Sequence, residues 1–317
     1  MKLSYEQKIQ ILIDNQLKYM KTLKDEDKKR FPFKEEHVEK MVRTIFKEDG
    51  VINQMFDWTT SPVGEPLTTD YLVTSMSGPE DGIPEVTLDI KTHTFTKGHH
   101  SYLVTSSSKL DEIKESMKIW GEEVLIQIVA EALRNSLGSR FIKEIQKIIE
   151  LNPYYKSLFD IPFSIEETEG RSFVKSVDVS FVQNYVHAEA SMYRQLTRGG
   201  VTHILSGVLM DSYWRVHQQF DWRSATQPVF IHRTGSIQGI QMWRGPKHLI
   251  EESSGYFLWK NPDIEEDKLM TLAIQTPFIL SNRSNDFSSN EFFFDGDLVV
   301  FQPGYVREIK LLGLPSI

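Results

Sequence analysis

Ser106–Glu150 reads SSSKLDEIKESMKIWGEEVLIQIVAEALRNSLGSRFIKEIQKIIE, the longest helical signal in the chain. Three serines offer a cap, and Asp111 and Glu112 fall in the first turn, where the helix dipole favours acids. Leu110, Ile113, Met117, Trp120, Val124, Ile128 and Ala132, then Ile142, Ile145 and Ile149, recur at three- and four-residue steps. That spacing predicts one continuous apolar face. Gly121 and Gly138 each cost about 1 kcal/mol relative to alanine in a helix, so a kink or break is expected near one of them. Up to Ser136 the rod is on the order of 40 Å long at about 1.5 Å per residue.

Upstream of this rod, Val86–Phe95 (VTLDIKTHTF) alternates apolar and polar residues, and Ser101–Thr105 does so over a shorter span. With Thr96–His100 between them, the two predict a half-exposed antiparallel pair. Such a hairpin is not stable alone; it must lie on its own domain or reach over a partner. Before it, Trp58–Pro84 is dense in Thr, Ser, Pro and Gly and holds one strand, Tyr71–Met76. Two thin amphipathic helices open the chain, Ser4–Leu23 (Ile9, Leu12, Ile13, Leu17 and Met20 inward) and Glu35–Phe46, with the charged connector Lys24–Arg30 between them. Alone, each needs something to lie on.

Downstream, Asn152-Pro153 breaks the rod, and Ser180–Leu196 predicts a second amphipathic helix that stops at Gly199-Gly200. Val201–Ser206 is a strand and Leu209–Phe220 a helix, an α/β unit of the kind found in mixed-sheet domains. Thr234–Trp243 is a glycine-punctuated hairpin, and Tyr256–Trp259 and Leu269–Gln275 are further strands. The chain closes on Phe292–Phe294, a turn at Asp295-Gly296-Asp297, Leu298–Gln302 and Tyr305–Leu312. The fold class is α+β.

The net charge of −8 gives no reason to expect a surface that wraps nucleic acid. No apolar run reaches the ~18 residues of a membrane span, and no signal-peptide core opens the chain. The absence of cysteine removes disulfides, thiolate metal sites and cysteine nucleophiles, and points to a protein made and assembled inside a cell.

Chemistry-bearing residues are present, but in the wrong company. His99-His100, with His93 nearby, is the one histidine cluster, yet adjacent residues at a strand end point to opposite sides, so both binding one metal is awkward and an exposed loop tip is expected. His187 and Glu189 lack the HExxH spacing, and His203 sits in an apolar strand as a core histidine would. Asp211, Ser212 and His217 could be imagined as a hydrolase set, but no nucleophile-elbow glycines surround Ser212. Gly235–Gly239 leads into a strand, where a phosphate loop needs a helix and a Lys-Ser/Thr pair. No catalytic residue, cofactor site or metal site is expected.

The order of these features resembles the major capsid proteins of tailed phages, the Hong Kong ninety-seven type fold. The most specific local match is VTHILSGVLMDSYWRVHQQF (201–220) followed by RTGSIQGIQMWRGPKHL (233–249), similar to the family's strand-helix pair and the glycine hairpin after it. The resemblance implies an N-terminal arm over 1–60, a peripheral-domain strand and linker over 61–82, and an extended hairpin loop over 83–105. It implies a peripheral domain with its spine helix over 106–200, an axial domain with a mixed sheet over 201–284, and return strands over 285–317. It further implies a structural subunit that forms hexamers and pentamers of an icosahedral shell around double-stranded DNA. Scaffold, portal and decoration proteins are the implied partners, and packaged DNA is held without sequence specificity. No membrane is involved, and the implied location is a virion capsid assembled in the host cytoplasm. Lys97, His99 and His100 are the implied contacts to a neighbouring subunit, with Trp120 and Trp243 in or beside the packed domains. An encapsulin-like shell around cargo enzymes is the alternative, and a soluble α+β enzyme with an unrecognised pocket a more distant one.

Overall fold

The computed structural model describes residues 3–30, 33–77, 85–96, 99–106, 112, 115, 118–119, 121–152, 161–162, 164–168, 171–175, 202–208, 210–211, 231–237, 240–260, 264–280 and 289–312. The described chain divides into two units, 1–137 with 264–301 and 138–263 with 302–317.

In the first unit, α1 (Tyr5–Thr22) starts at a capping box: Ser4 Oγ accepts from Gln7 N–H at 3.3 Å, and Gln7 Oε1 accepts from Ser4 N–H at 2.8 Å. After the short α2 (Asp25–Arg30), α3 (Glu35–Ile45) buries Val38, Met41, Val42 and Ile45 at helical spacing. Then α4 (Val51–Met55) leads into β1 (Asp57–Thr59). Phe46 and Trp58 pack with ring centroids 4.8 Å apart, closing the arm onto its sheet. That sheet has the order β1, β12 (Met270–Leu280), β13 (Ser289–Val300), β4 (His99–Ser106). β1 runs parallel to β12, and the other two pairings are antiparallel.

The expected pairing of Val86–Phe95 with Ser101–Thr105 is corrected. β3 (Glu85–Thr94) pairs instead with β2 (Thr68–Ser77) through ten consecutive partners without a bulge, while β4 leaves for β13. In the sequence, Gly78-Pro79 and Gly82-Ile83-Pro84 stand between the two strands that pair. A second correction falls at Asp295-Gly296-Asp297, which lies inside β13 and is not a turn. Gly296 faces Ile274 across a register shift, and a Cβ there would stand 1.8 Å from the Ala273 carbonyl oxygen, so only glycine lets the strands meet.

The long helix α5 is Glu122–Leu151. Of the two glycines, Gly121 makes the break, with φ of 87°, whereas Gly138 lies inside the helix. Ile142, Ile145 and Ile149 are buried as expected, but along the first half of α5 the buried face differs from the expected one. Ile126, Ala130, Leu133 and Leu137 are buried, while Val124 and Ile128 are 51% and 53% exposed. The segment EEVLIQIVAEAL is apolar on nearly every side, and its periodicity alone does not choose which side turns inward.

The second unit is built on a six-stranded mixed sheet: β5 (Ile161–Pro162), β14 (Val306–Leu312), β11 (Ser254–Leu258), β8 (His203–Ser206), β10 (Ile240–Arg244) and β9 (His232–Ile237). β6 (Ser164–Thr168) and β7 (Arg171–Lys175) form a separate two-stranded pair. The glycine-punctuated hairpin is β9–β10, and β10 runs parallel to β8, as crossover topology allows. Gln146 on the later half of α5 donates to the Leu249 carbonyl at 2.8 Å and to the Tyr256 hydroxyl at 3.3 Å, pinning the helix to β11. The expected helices over Ser180–Leu196 and most of Leu209–Phe220 lie outside the described residues.

Candidate self-association surface

The feature that folding of one chain leaves unfinished is the β2–β3 ribbon. At its root it is clamped. Lys268, buried, donates to Asp57 Oδ2 at 2.9 Å and to Thr69 Oγ1 at 2.8 Å, and Thr271 Oγ1 donates to the same Asp57 oxygen at 3.2 Å. Tyr71 stacks on Phe301 at 4.5 Å, and His93 meets Phe95 and Phe301 edge-on at 4.8 and 5.8 Å. Phe95 N–H donates to the Leu67 carbonyl at 2.9 Å, and Thr92 Oγ1 donates to Asp70 Oδ1 at 2.7 Å.

Beyond the root the two strands differ. Leu72 on β2 is buried and its N–H donates to the Glu266 carbonyl at 2.8 Å. Its partner on β3, Ile90, is 59% exposed, and Leu88 is 58% exposed. Thr87, Asp89, Lys91 and Thr92 are exposed as well, so β3 is wet on both faces. Two branched apolar side chains on an outer strand form the kind of patch that water leaves poorly solvated and a partner covers. Val124 and Ile128, with Ile119 exposed before the break at Gly121, form a second exposed apolar stripe in the same unit.

Charged groups near these surfaces are committed to structure. Lys34 N–H donates to His37 Nδ1 at 3.3 Å, which leaves Nε2 to carry the imidazole hydrogen towards Glu122 at 3.4 Å and Glu36 at 3.7 Å. Lys34 Nζ stands 2.8 Å from Glu122. The Lys34 hydrogen bond and charge hold the Glu122 carboxyl below its usual range, and the Lys34 ammonium is raised in turn. These three groups approach closely enough to suggest metal ligands, but with Nε2 as donor and an ammonium already between the carboxylates they form a latch from α3 to the start of α5. A charged cleft of about 540 Å³ beside it is lined by Lys40, Arg43, Glu131 and Arg134; a polar one of about 350 Å³ lies at the ribbon root.

The residues singled out from sequence are dispersed. Lys97 and Trp120 lie outside the described residues. His99 and His100 open β4, opposite Asp295 and Phe294, and are strand residues where a loop tip was expected. Trp243 is buried in the second unit. Asp211 is fully buried and accepts from Thr234 Oγ1 at 2.7 Å and from Arg244 Nε at 3.0 Å, an ion pair that joins the hairpin to the segment after β8; Ser212 and His217 lie outside the described residues. His203 is a buried neutral histidine: burial, helped by Lys260 and Arg233, pushes it down to about 3, and its Nδ1 meets Thr202 Oγ1 at 2.8 Å. What sequence reasoning missed is the pair Asn15 and Gln16, polar residues on the inward face of α1. Their signal was available, since residue 16 continues the step Ile9, Leu12, Ile13, Met20.

No protein-family model and no curated protein matches the chain. Among solved structures, it is similar to a virus-like particle from Pyrococcus furiosus, at 9% identity with a TM-score of 0.42, covering 85% of this chain and 96% of that one. It is similar to the mature capsid of bacteriophage PhiM1, at 11% identity and a TM-score of 0.39, covering 85% and 89%. A third is the satellite phage P4 procapsid including the size determination protein, at 9% identity and 0.41, covering 93% and 100%.

Proposed function

We propose that this chain is the structural subunit of a closed protein shell, the major capsid subunit of a tailed double-stranded DNA virus, and carries no catalytic activity. The observation that carries the reading is the β2–β3 ribbon: ten paired residues per strand, clamped at one end, with Leu88 and Ile90 on an outer strand that nothing in the described chain covers. An isolated two-stranded ribbon is marginal in water, so a sequence that keeps one extended with exposed apolar residues gains its stability from a neighbour. A repeated subunit using one such contact closes into rings, and rings of six and five copies close a shell. The arm helices and the exposed Val124–Ile128 stripe supply further contact area of the kind obligate assemblies bury. Lys97, His99 and His100 belong to the contacts between copies in this reading.

Negative-stain microscopy and sedimentation of the purified chain test it. Shells, tubes or rings of five and six copies are expected, and Leu88→Lys with Ile90→Lys should leave the melting temperature of the free subunit unchanged while abolishing those particles. A small monodisperse species at every concentration would sink the reading. Shell contents then separate a viral capsid, filled with DNA, from a shell that holds cargo enzymes.

A further inference from the structure

The antiparallel pairing of β12 with β13 is regular from Met270 opposite Val300 to Ile274 opposite Gly296, and then loses step twice. Thr276 faces Asp295 and Ile279 faces Phe293, so the register passes over Gln275 and then over Pro277 and Phe278. From Ile274 to Ile279 the chain takes five residue steps on β12 against three on β13. Each extra residue makes a bulge, whose backbone groups the ladder leaves unpaired and something else must satisfy. Pro277, which has no N–H to donate, is a residue that bulges tolerate.

Helix α1 meets the strand at these positions. Asn15 Nδ2 donates to the Gln275 carbonyl at 2.7 Å. Gln16 Nε2 donates to the Phe278 carbonyl at 3.0 Å, while its Oε1 accepts from the Phe278 N–H at 3.2 Å. Just past the second bulge, Tyr19 Oη accepts from Leu280 N–H at 2.8 Å. The first bulge is tied to the 61–63 loop as well. Gln275 Nε2 donates to the Pro62 carbonyl at 2.7 Å and to Ser61 Oγ at 3.2 Å; Asn15 donates to the Ser61 carbonyl at 2.9 Å and accepts from Val63 N–H at 3.1 Å. Asn15 and Gln16 are buried on the face where α1 otherwise carries Ile9, Leu12, Ile13 and Met20, although aliphatic residues would pack there at lower desolvation cost.

We infer that α1 is a register lock: Asn15, Gln16 and Tyr19 select the bulged pairing of β12 with β13 over a straight one. Continued without bulges, the pairing of 270–274 would set Ile279 opposite Glu291, two residues from its partner Phe293. That is a slide of roughly 6.6 Å at about 3.3 Å per residue. A slip of one residue turns every side chain to the wrong face, but a slip of two keeps each on its own, so strand alternation alone does not forbid it. β4 pairs with the same stretch of β13, Ser101 opposite Phe293 and His99 opposite Asp295, so the lock also fixes where β4 lies. The inference concerns one chain and does not rest on the shell reading.

The chain has no cysteine, which makes its register open to disulfide trapping. Residues directly opposite on neighbouring strands bring their Cβ atoms close to disulfide reach, and a two-residue offset takes them out of it. Two full-length chains report the pairing, one with Ile279→Cys and Phe293→Cys, the other with Ile279→Cys and Glu291→Cys. Oxidised at high dilution and read by intact mass after thiol alkylation, the 279/293 pair should close and the 279/291 pair should stay reduced. Adding Gln16→Leu should make the 279/291 pair close and lower the yield of the 279/293 pair. Tyr19→Phe, which deletes only the acceptor for Leu280 N–H, should act in the same direction to a smaller extent, and it serves if Gln16→Leu does not fold. A helix that merely adds stability would leave 279/293 as the pair that closes while the melting temperature falls. That result in a folded variant overturns the inference, and so does a parent chain in which 279/291 closes as readily as 279/293.

Discussion

Lys268 is buried inside the first unit, where Asp57 and Thr69 meet its ammonium. Removing one member of a buried pair strands the other, at a cost of ~3–5 kcal/mol, whereas removing both can be nearly neutral. Lys268→Met should therefore lower the stability of the free subunit by about 3 kcal/mol, and Asp57→Leu in the same chain should recover most of it. Urea denaturation of the four members of the cycle measures the coupling. His203 gives a pH prediction. Its folded value, about 3, lies below the ordinary 6.5, so the unfolded chain binds the proton first. Stability contributed by the neutral form is complete above 6.5 and is lost as pH falls towards 3, by up to ~1.4 kcal/mol per pH unit. His203→Leu should flatten that dependence in denaturation curves taken across the acid range; an unchanged slope would exclude His203 as its origin.

At the scale of elements, Gly121 ends one helical stretch and sets the start of α5. With φ of 87° it occupies backbone that a side chain makes costly, so Gly121→Ala should destabilise by about 1–2 kcal/mol although nothing lies within 4 Å of the added methyl. The exposed stripe behaves oppositely. Val124→Glu with Ile128→Glu should change the free subunit's stability by less than about 0.5 kcal/mol per site, as exposed positions do, while lowering any self-association read by sedimentation. These elements also show where the sequence was readable. α1, α3 and most strands were legible because their apolar residues kept a regular period, as in Ile9, Leu12 and Ile13 and in the alternation of Val86, Leu88 and Ile90. Pairing was less so: alternation says that β3 has a partner and is silent on whether that is β2 or β4. Gly296 was misread because a glycine between two aspartates signals a turn, and only the approach of Ala273 reveals the other use. The candidate surface was half legible: a half-exposed strand was foreseen at Val86–Phe95, though with the wrong partner, and its exposed Leu88 and Ile90 required the fold to show that only β2 finds cover.

For the molecule as a whole, the net charge of −8 bears on the proposed association of copies. Copies that carry it repel one another, and salt screens this beyond a Debye length of about 10 Å at 0.1 M. Association should strengthen as ionic strength rises, the reverse of a complex held by opposite charges; light scattering across a salt series reads the sign. The same charge gives no footing for a tight, sequence-selective complex with DNA, and a mobility-shift assay should show none. No described helix is long and apolar enough to cross a membrane.

The clamp at the ribbon root has a mechanical side. A ribbon of ten pairs, roughly 33 Å at about 3.3 Å per residue, is a cantilever fixed at one end. A pull along it would arrive as torque at Thr69, pass through Lys268 to Asp57, and so enter the seam where β1 meets β12. The strand that would carry this load is the one whose backbone Asn15, Gln16 and Tyr19 bond, so force gathered at the ribbon would reach a strand that α1 braces.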